Sequence, residues 1–155
     1  MCRTKTLSQA GACSAEGCQD ESRIQSADRE PENWLTHGRT YSEQRFSPLD
    51  QVNRDNVNQL RMVWTRPMGA GNQEATPLVY DGVMYVPNNG DLIQAYDADT
   101  GELLWEKKRA LPQGVRGATN RNIAIWGRTI IDASSDNQMY ALDVETGEQV
   151  WETPV

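Results

Sequence analysis

Two side chains of this sequence stand out as able to do chemistry: Glu74, in the segment QEATP, and Arg121, in NRNIAIW. A carboxylate accepts hydrogen bonds or binds a cation, and a planar guanidinium matches the two oxygens of a carboxylate. The two positions therefore mark the best place to look for a ligand site. Pairing with each other, or plain exposure to solvent, is the bland alternative, because surface charge by itself contributes little. His37, in LTHGRTY, is the single imidazole of the chain. It is a weaker candidate for a base, since a lone loop histidine is more often structural or exposed. Cys2, Cys13 and Cys18 all lie near the start of the chain. Their spacing fits neither a zinc site nor a haem-attachment motif, which leaves unpaired thiols in a polar tail. AGAC before Cys13 resembles a lipoprotein site, but no apolar run precedes it.

What singles out Glu74 and Arg121 is an internal repeat. The phrase AYDADTGELLW, residues 95–105, returns as ALDVETGEQVW, residues 141–151. At an offset of 46 residues Ala95, Asp97, Thr100, Gly101, Glu102 and Trp105 fall on Ala141, Asp143, Thr146, Gly147, Glu148 and Trp151. The same offset lays VMYVPNNGDLIQ on TIIDASSDNQMY and PLVYDG on IAIWGR, so apolar positions meet apolar positions. Just ahead of these segments Gln73 meets Thr119, Glu74 meets Asn120 and Ala75 meets Arg121. A purely structural repeat has no need to vary that end with charge.

Each unit reads as four short strands separated by turn signals: TPLVY, VMYVP, LIQAYD and ELLWEK in the first. A forty-odd-residue repeat of four strands is the signature of a propeller blade, whose first strand begins nearest the axis. Within the repeated phrase, Asp97 and Asp143 can accept backbone N–H groups across the turn and Thr100 and Thr146 can tie it. Gly101 and Gly147 can take a positive φ, and Trp105 and Trp151 can fill the gap to the next sheet. The acidic pairs Asp97 with Asp99 and Asp143 with Glu145 then belong to turns and not to an acid/base dyad. The fold class is all-β, a β-propeller fragment made of a lead-in segment and about two four-stranded blades. Residues 1–32 read as a disordered or misassigned leader, 33–72 as the lead-in, 73–110 as one blade and 117–155 as the next. In the lead-in, Asp55 or Asn53 is expected to cap a short helix bearing Val57 and Leu60. RMVWTRPM is expected to form a strand with Met62 and Trp64 on one face, and Tyr41, Arg45 and Phe46 to pack against a blade. Two blades alone leave open sheet edges, so little independent stability is expected.

Composition narrows the partners. Of the 155 residues 37% are hydrophobic, with five Trp and five Tyr against one Phe, so a core here leans on a few large aromatics. A net charge of -7, from 15 basic and 22 acidic residues, argues against nucleic acid. No apolar run approaches the ~18 residues of a membrane span, and no signal peptide is visible at the N-terminus.

The lead-in NWLTHGRTYSEQRFSPLDQVNRDNVNQL, then QEATPLVYDGVMYV, ATNRNIAIW and the endings TGELLW and TGEQVW, resembles the N-terminal part of a pyrroloquinoline-quinone (PQQ)-dependent alcohol dehydrogenase, over about residues 28–155. The resemblance implies an eight-bladed propeller with PQQ on its axis beside Ca²⁺ or a similar metal. It implies oxidation of a small primary or secondary alcohol by hydride transfer to the quinone, with the metal polarising the C5 carbonyl and an aspartate as base. Electrons pass to a cytochrome c or a membrane quinone. It further implies that Glu74 hydrogen-bonds the cofactor and Arg121 lies against its carboxylates. Metal ligands and catalytic base are expected from later blades, so the segment alone is expected to be inactive. Members are periplasmic. Many carry two adjacent cysteines shortly before this arginine; GVRGATN has none. A reading of another class is a non-catalytic scaffold propeller of the outer-membrane assembly type, which shares the Trp phrase; the lead-in and QEATP favour the enzyme.

Overall fold

Short apolar and aromatic runs, separated within each sheet by turns that hold a residue at positive φ, give the chain its strands. In the computed structural model, which describes residues 21–155, β1 (Leu78–Tyr80), β2 (Val83–Asn88), β3 (Leu92–Asp97) and β4 (Leu103–Lys108) form one antiparallel sheet in sequence order. A second sheet follows from β5 (Ala124–Trp126), β6 (Thr129–Ala133), β7 (Gln138–Asp143) and β8 (Gln149–Pro154). Every strand of the second sheet starts 46 residues after its counterpart. Even the register shift recurs, between Ala95 and Tyr96 and again between Ala141 and Leu142. The expectations for Cys2, Cys13 and Cys18 lie outside the described residues.

The turns follow the expected chemistry. Asp97 Oδ1 accepts the N–H groups of Asp99 and Thr100 and the Thr100 hydroxyl, and Asp143 Oδ1 does the same with Glu145 and Thr146. Gly101 and Gly147 each sit at φ +69. Their missing side chains matter twice over, because an indole lies where a Cβ would be. Trp105 covers Gly147, with the ring 2.5 Å from an added Cβ, and its indole N–H donates to the Val144 carbonyl at 3.0 Å. Trp64 covers Gly101 at the same 2.5 Å and donates to the Ala98 carbonyl at 3.1 Å. Trp64 thus holds the first sheet from the lead-in as Trp105 holds the second from β4. Between the sheets Leu78, Tyr85, Ile93, Ile130, Tyr140 and Leu142 are buried in one cluster, and the Tyr85 hydroxyl donates to the Val144 carbonyl at 3.2 Å.

A second tie is ionic. Arg109, just past β4, reaches Asp136 in the β6–β7 turn at 2.9 Å and Glu152 on β8 at 2.7 Å, with its guanidinium 5.2 Å from the Tyr140 ring centre. Hydrogen bonds from Arg109 hold both carboxyls below the ordinary carboxylate range.

Four sequence expectations change. Residues 21–32, read as part of the disordered leader, carry α1 (Glu21–Gln25) and a 3-10 turn (Ala27–Arg29), with Ile24 and Ala27 buried. Arg23 pairs with Glu30 and Asp81 and lies over the Tyr80 ring, and Trp34 exchanges two backbone hydrogen bonds with Val79 on β1. Much of what orders this segment lies outside it, at Tyr80 and Asp81 at the end of β1 and at Arg39 in the lead-in, so no local hydrophobic period announces it. The capped helix is instead a 3-10 turn, Val57–Gln59, with no buried residue; Asn53 Oδ1 takes the Asp55 N–H, and Asp55 caps nothing. Tyr41 and Phe46 are 61% and 67% exposed and do not pack on a blade. Arg39 anchors the lead-in, buried and bonded to Asp28, to the Ala27 carbonyl and to the Phe46 carbonyl. The segment RMVWTRPM pairs with no strand among the described residues, and Met62 is exposed while Trp64 is not.

Gly101→Ala and Gly147→Ala are each expected to cost roughly 2–4 kcal/mol, a left-handed alanine plus a displaced indole. Gly82→Ala, at φ +81 with open space around it, should cost only about 1 kcal/mol; chemical denaturation of the three variants checks the difference. For Arg109 the sign is set by its two depressed carboxyls, whose contribution is present above their unfolded values and lost as pH falls through the folded ones. The stability gap between wild type and Arg109→Gln should therefore be full at neutral pH and shrink below about pH 4, measured as denaturation midpoints across that range.

Candidate functional site

The segments that lead into β1 and β5 lie side by side. The Thr76 N–H donates to the Arg121 carbonyl at 3.1 Å, which brings Glu74 and Arg121 to one end of the two sheets. Their side chains pair, Arg121 Nη2 to Glu74 Oε2, at 2.8 Å. They remain open, however, with 66% of the arginine side chain and 43% of the glutamate side chain exposed. An exposed pair of this kind adds at most about 1 kcal/mol to stability, and mutual pairing in contact with solvent is what the structure shows of these two residues. Arg121 keeps N–H donors free of Glu74, and Glu74 keeps acceptor capacity free of Arg121.

Residues 117–122 belong to no strand, so tethers outside the sheet ladder must hold them. Gly117 runs so close to Gly90 that an added Cβ would lie 2.5 Å from the Gly90 Cα, and the Gly90 N–H donates to the Ala118 carbonyl at 3.1 Å. The Ala118 N–H donates to the Ser135 hydroxyl, which donates in turn to buried Asp91 at 3.0 Å. Asn120 Nδ2 donates to Asp132 Oδ2 at 2.7 Å, and the Tyr140 hydroxyl donates to the same oxygen at 2.9 Å. Beside this segment lies a cavity of about 510 Å³, bordered among others by Asn120, Arg121, Ala124, Asp132 and Met139. Burial pushes the Asp132 carboxyl above the ordinary range, while the hydrogen bonds from Tyr140, Ala133 and Asn120 pull it back. Burial and the neighbouring Asp132 raise the Tyr140 phenol.

The other sequence candidates lie elsewhere. His37 sits in the lead-in, its Nε2 engaged by the Arg45 guanidinium and its carbonyl accepting the Trp34 indole N–H. The acidic pairs 97/99 and 143/145 are turn residues, as expected. Among the described residues no group of three or more His, Cys, Asp or Glu is placed to hold a metal ion, and no helix is long and apolar enough to cross a membrane. Sequence reasoning missed Asp132 and its partners. The signal was present in the repeat: at the 46-residue offset Asp132 falls on Val86 and Tyr140 on Gln94, an acid where a buried valine suffices.

Arg121 thus has N–H groups left to donate, Glu74 lies beside it as an acceptor, and a cavity adjoins them. Residues 34–152 match the PQQ family model described as glucose/ethanol/alcohol dehydrogenase, beta-propeller domain. The dehydrogenase subunit of alcohol dehydrogenase (quinone) from Komagataeibacter europaeus is 43% identical over 148 residues, covering 92% of this chain and 20% of that protein. A match of that extent takes in part of residues 1–32. The solved quinohemoprotein alcohol dehydrogenase ADHIIG of Pseudomonas putida HK5 superposes with a TM-score of 0.79 at 38% identity, over 88% of this chain and 21% of its own. A europium-containing methanol dehydrogenase superposes with a TM-score of 0.76 at 27% identity, over 86% of this chain and 25% of its own. The chain thus spans about a fifth to a quarter of the length of these relatives. Two four-stranded sheets linked by an indole laid on a glycine turn, and a family match over residues 34–152, show that this chain belongs to the β-propeller family of PQQ-dependent glucose/ethanol/alcohol dehydrogenases.

Proposed function

We propose that this chain forms one wall of the PQQ site in a quinoprotein oxidoreductase that oxidises a small primary or secondary alcohol, and that the segment alone is inactive. The observation that carries the proposal is the Arg121–Glu74 pair, half-open at the shared end of two adjacent blades. PQQ, when bound, supplies the two-electron acceptor for alcohol oxidation. The chain's own residues bind and orient. Arg121 offers its planar fork to a cofactor carboxylate, and Glu74 accepts a hydrogen bond from the ligand while keeping the guanidinium aimed. The tethers on residues 117–122 hold Arg121 in place before the ligand arrives, which lowers the ordering cost of binding.

The same reading places Ca²⁺ or a similar metal beside the cofactor, with ligands and the catalytic aspartate outside this segment. It also assigns a cytochrome c or a membrane quinone as electron acceptor and the periplasm as compartment. The names of the quinone-type and quinohemoprotein relatives support the acceptor. No observation favours the scaffold alternative.

In the full-length protein that carries this chain, Glu74→Gln and Arg121→Ala are each expected to weaken PQQ binding by about tenfold or more and to slow dye-coupled alcohol oxidation accordingly. Because the pair is exposed, the denaturation midpoints should barely move. Wild-type PQQ affinity in both variants would sink the site assignment. Chelation should abolish oxidation, and readdition of Ca²⁺ should restore it; separate readdition of a lanthanide tests which ion the site takes.

A further inference from the structure

Asp132 is a buried carboxylic acid that the repeat does not require. Its counterpart one blade earlier is Val86, paired across β2 and β3 with Gln94, just as Asp132 is paired across β6 and β7 with Tyr140. Both residues are buried, so an apolar side chain serves the sheet at this position. A buried carboxylate costs stability unless its oxygens find hydrogen-bond partners. Asp132 has three: the Tyr140 hydroxyl and the Asn120 amide on Oδ2, and the Ala133 N–H on Oδ1. Two of the three lie on its own sheet. The third reaches out of the sheet to Asn120, the residue immediately before Arg121.

That reach matters because residues 117–122 lack a ladder of their own. One buried acid, Asp91, holds the segment at Ala118 through Ser135. On its far side Thr76 holds the Arg121 carbonyl. Between these two points Asn120 is fixed by Asp132 alone, among the hydrogen bonds of the described residues.

We propose that Asp132, oriented by Tyr140, is a positioning residue for Arg121: it clamps Asn120 and so fixes the backbone from which the guanidinium projects toward a carboxylate-bearing ligand. The inference rests on the PQQ reading above for the identity of that ligand. It does not make Asp132 a ligand contact, since both its oxygens already accept hydrogen bonds from this chain and the side chain is buried.

The test uses the full-length protein in cofactor-free form, titrated with PQQ and followed by quenching of tryptophan fluorescence. Asp132→Val would leave the Tyr140 hydroxyl unpaired, so it is combined with Tyr140→Phe; Asp132→Asn, which keeps an acceptor for Asn120, serves as the conservative variant. The double variant is expected to raise the PQQ dissociation constant by about tenfold with Arg121 present and by less than about twofold in an Arg121→Ala background. Asp132→Asn should recover most of the loss. Equal factors in the two backgrounds would show general destabilisation and overturn the clamp, as would an unchanged affinity with Arg121 present. A cofactor-free readout separates this failure from failure of the PQQ reading. Amide hydrogen exchange at residues 118–122 should rise in the double variant while that of β6 and β7 stays as in wild type. If wild-type protein does not bind PQQ, the functional reading falls and the exchange result alone decides the clamp; unchanged exchange at 118–122 overturns it.

Discussion

An indole ring laid on a glycine turn is the contact on which the rest of this structure depends. Two antiparallel sheets packed face to face can slide, because burial of apolar area is nearly indifferent to small translations. The Trp105 contact is not indifferent. Its ring fills the space that a Cβ at residue 147 would occupy, while its N–H reaches one particular carbonyl, that of Val144. The glycine supplies both the positive φ and the clearance, and Asp143 and Thr146 hold the turn in the shape that presents that carbonyl. Register between the sheets then follows. Only with that register set do the ends of β1 and β5 come close enough for Thr76 to bond Arg121 and for Glu74 to meet its guanidinium.

Away from the indoles the interface changes character. At the outer strands Arg109 spans the sheets with two carboxylates and the Tyr140 ring. Asp91, Ser135, Asp132 and Asn120 continue the polar chain to the site. Tyr140 stands in both groups: its ring faces Arg109 and its hydroxyl serves Asp132. Buried polar networks of this sort are costly when incomplete and rigid when complete, and rigidity is what a loop segment bearing a ligand-facing arginine needs.

The repeat made most of this legible. A fixed offset located all eight strands, because each turn residue in the phrase has a local role that its own chemistry reveals. The same offset exposed Glu74 and Arg121 as breaks in the pattern. What stayed hidden depends on distant contacts. Ile24 lies in a polar stretch too short to show a period, yet it is buried in one cluster with Leu78 and Tyr80 far along the chain. Trp64 repeats the role of Trp105 at a spacing of 41 residues and not 46, and from a segment that forms no strand. Tyr41 and Phe46 promised packing by their size alone, whereas a buried arginine does that work. Asp132 was visible as an acid aligned with a valine, but its partner Asn120 becomes meaningful only once the sheets are side by side.

The indole-on-glycine contact also has a direction. One sheet contributes the ring and the next contributes the turn, so the two halves are never alike. The lead-in gives an indole to the first sheet, the first sheet gives one to the second, and Trp151 on the second stands 38% exposed. Subunits joined by such a head-to-tail contact add in one sense only and turn by a fixed angle at each step, which leads to a closed ring or to an open helix according to that angle. Two identical sheets meeting face to face through the same surface would set indole against indole and turn against turn, and neither match exists. The polarity that orders the blades is therefore also a guard against sheets pairing symmetrically with copies of themselves.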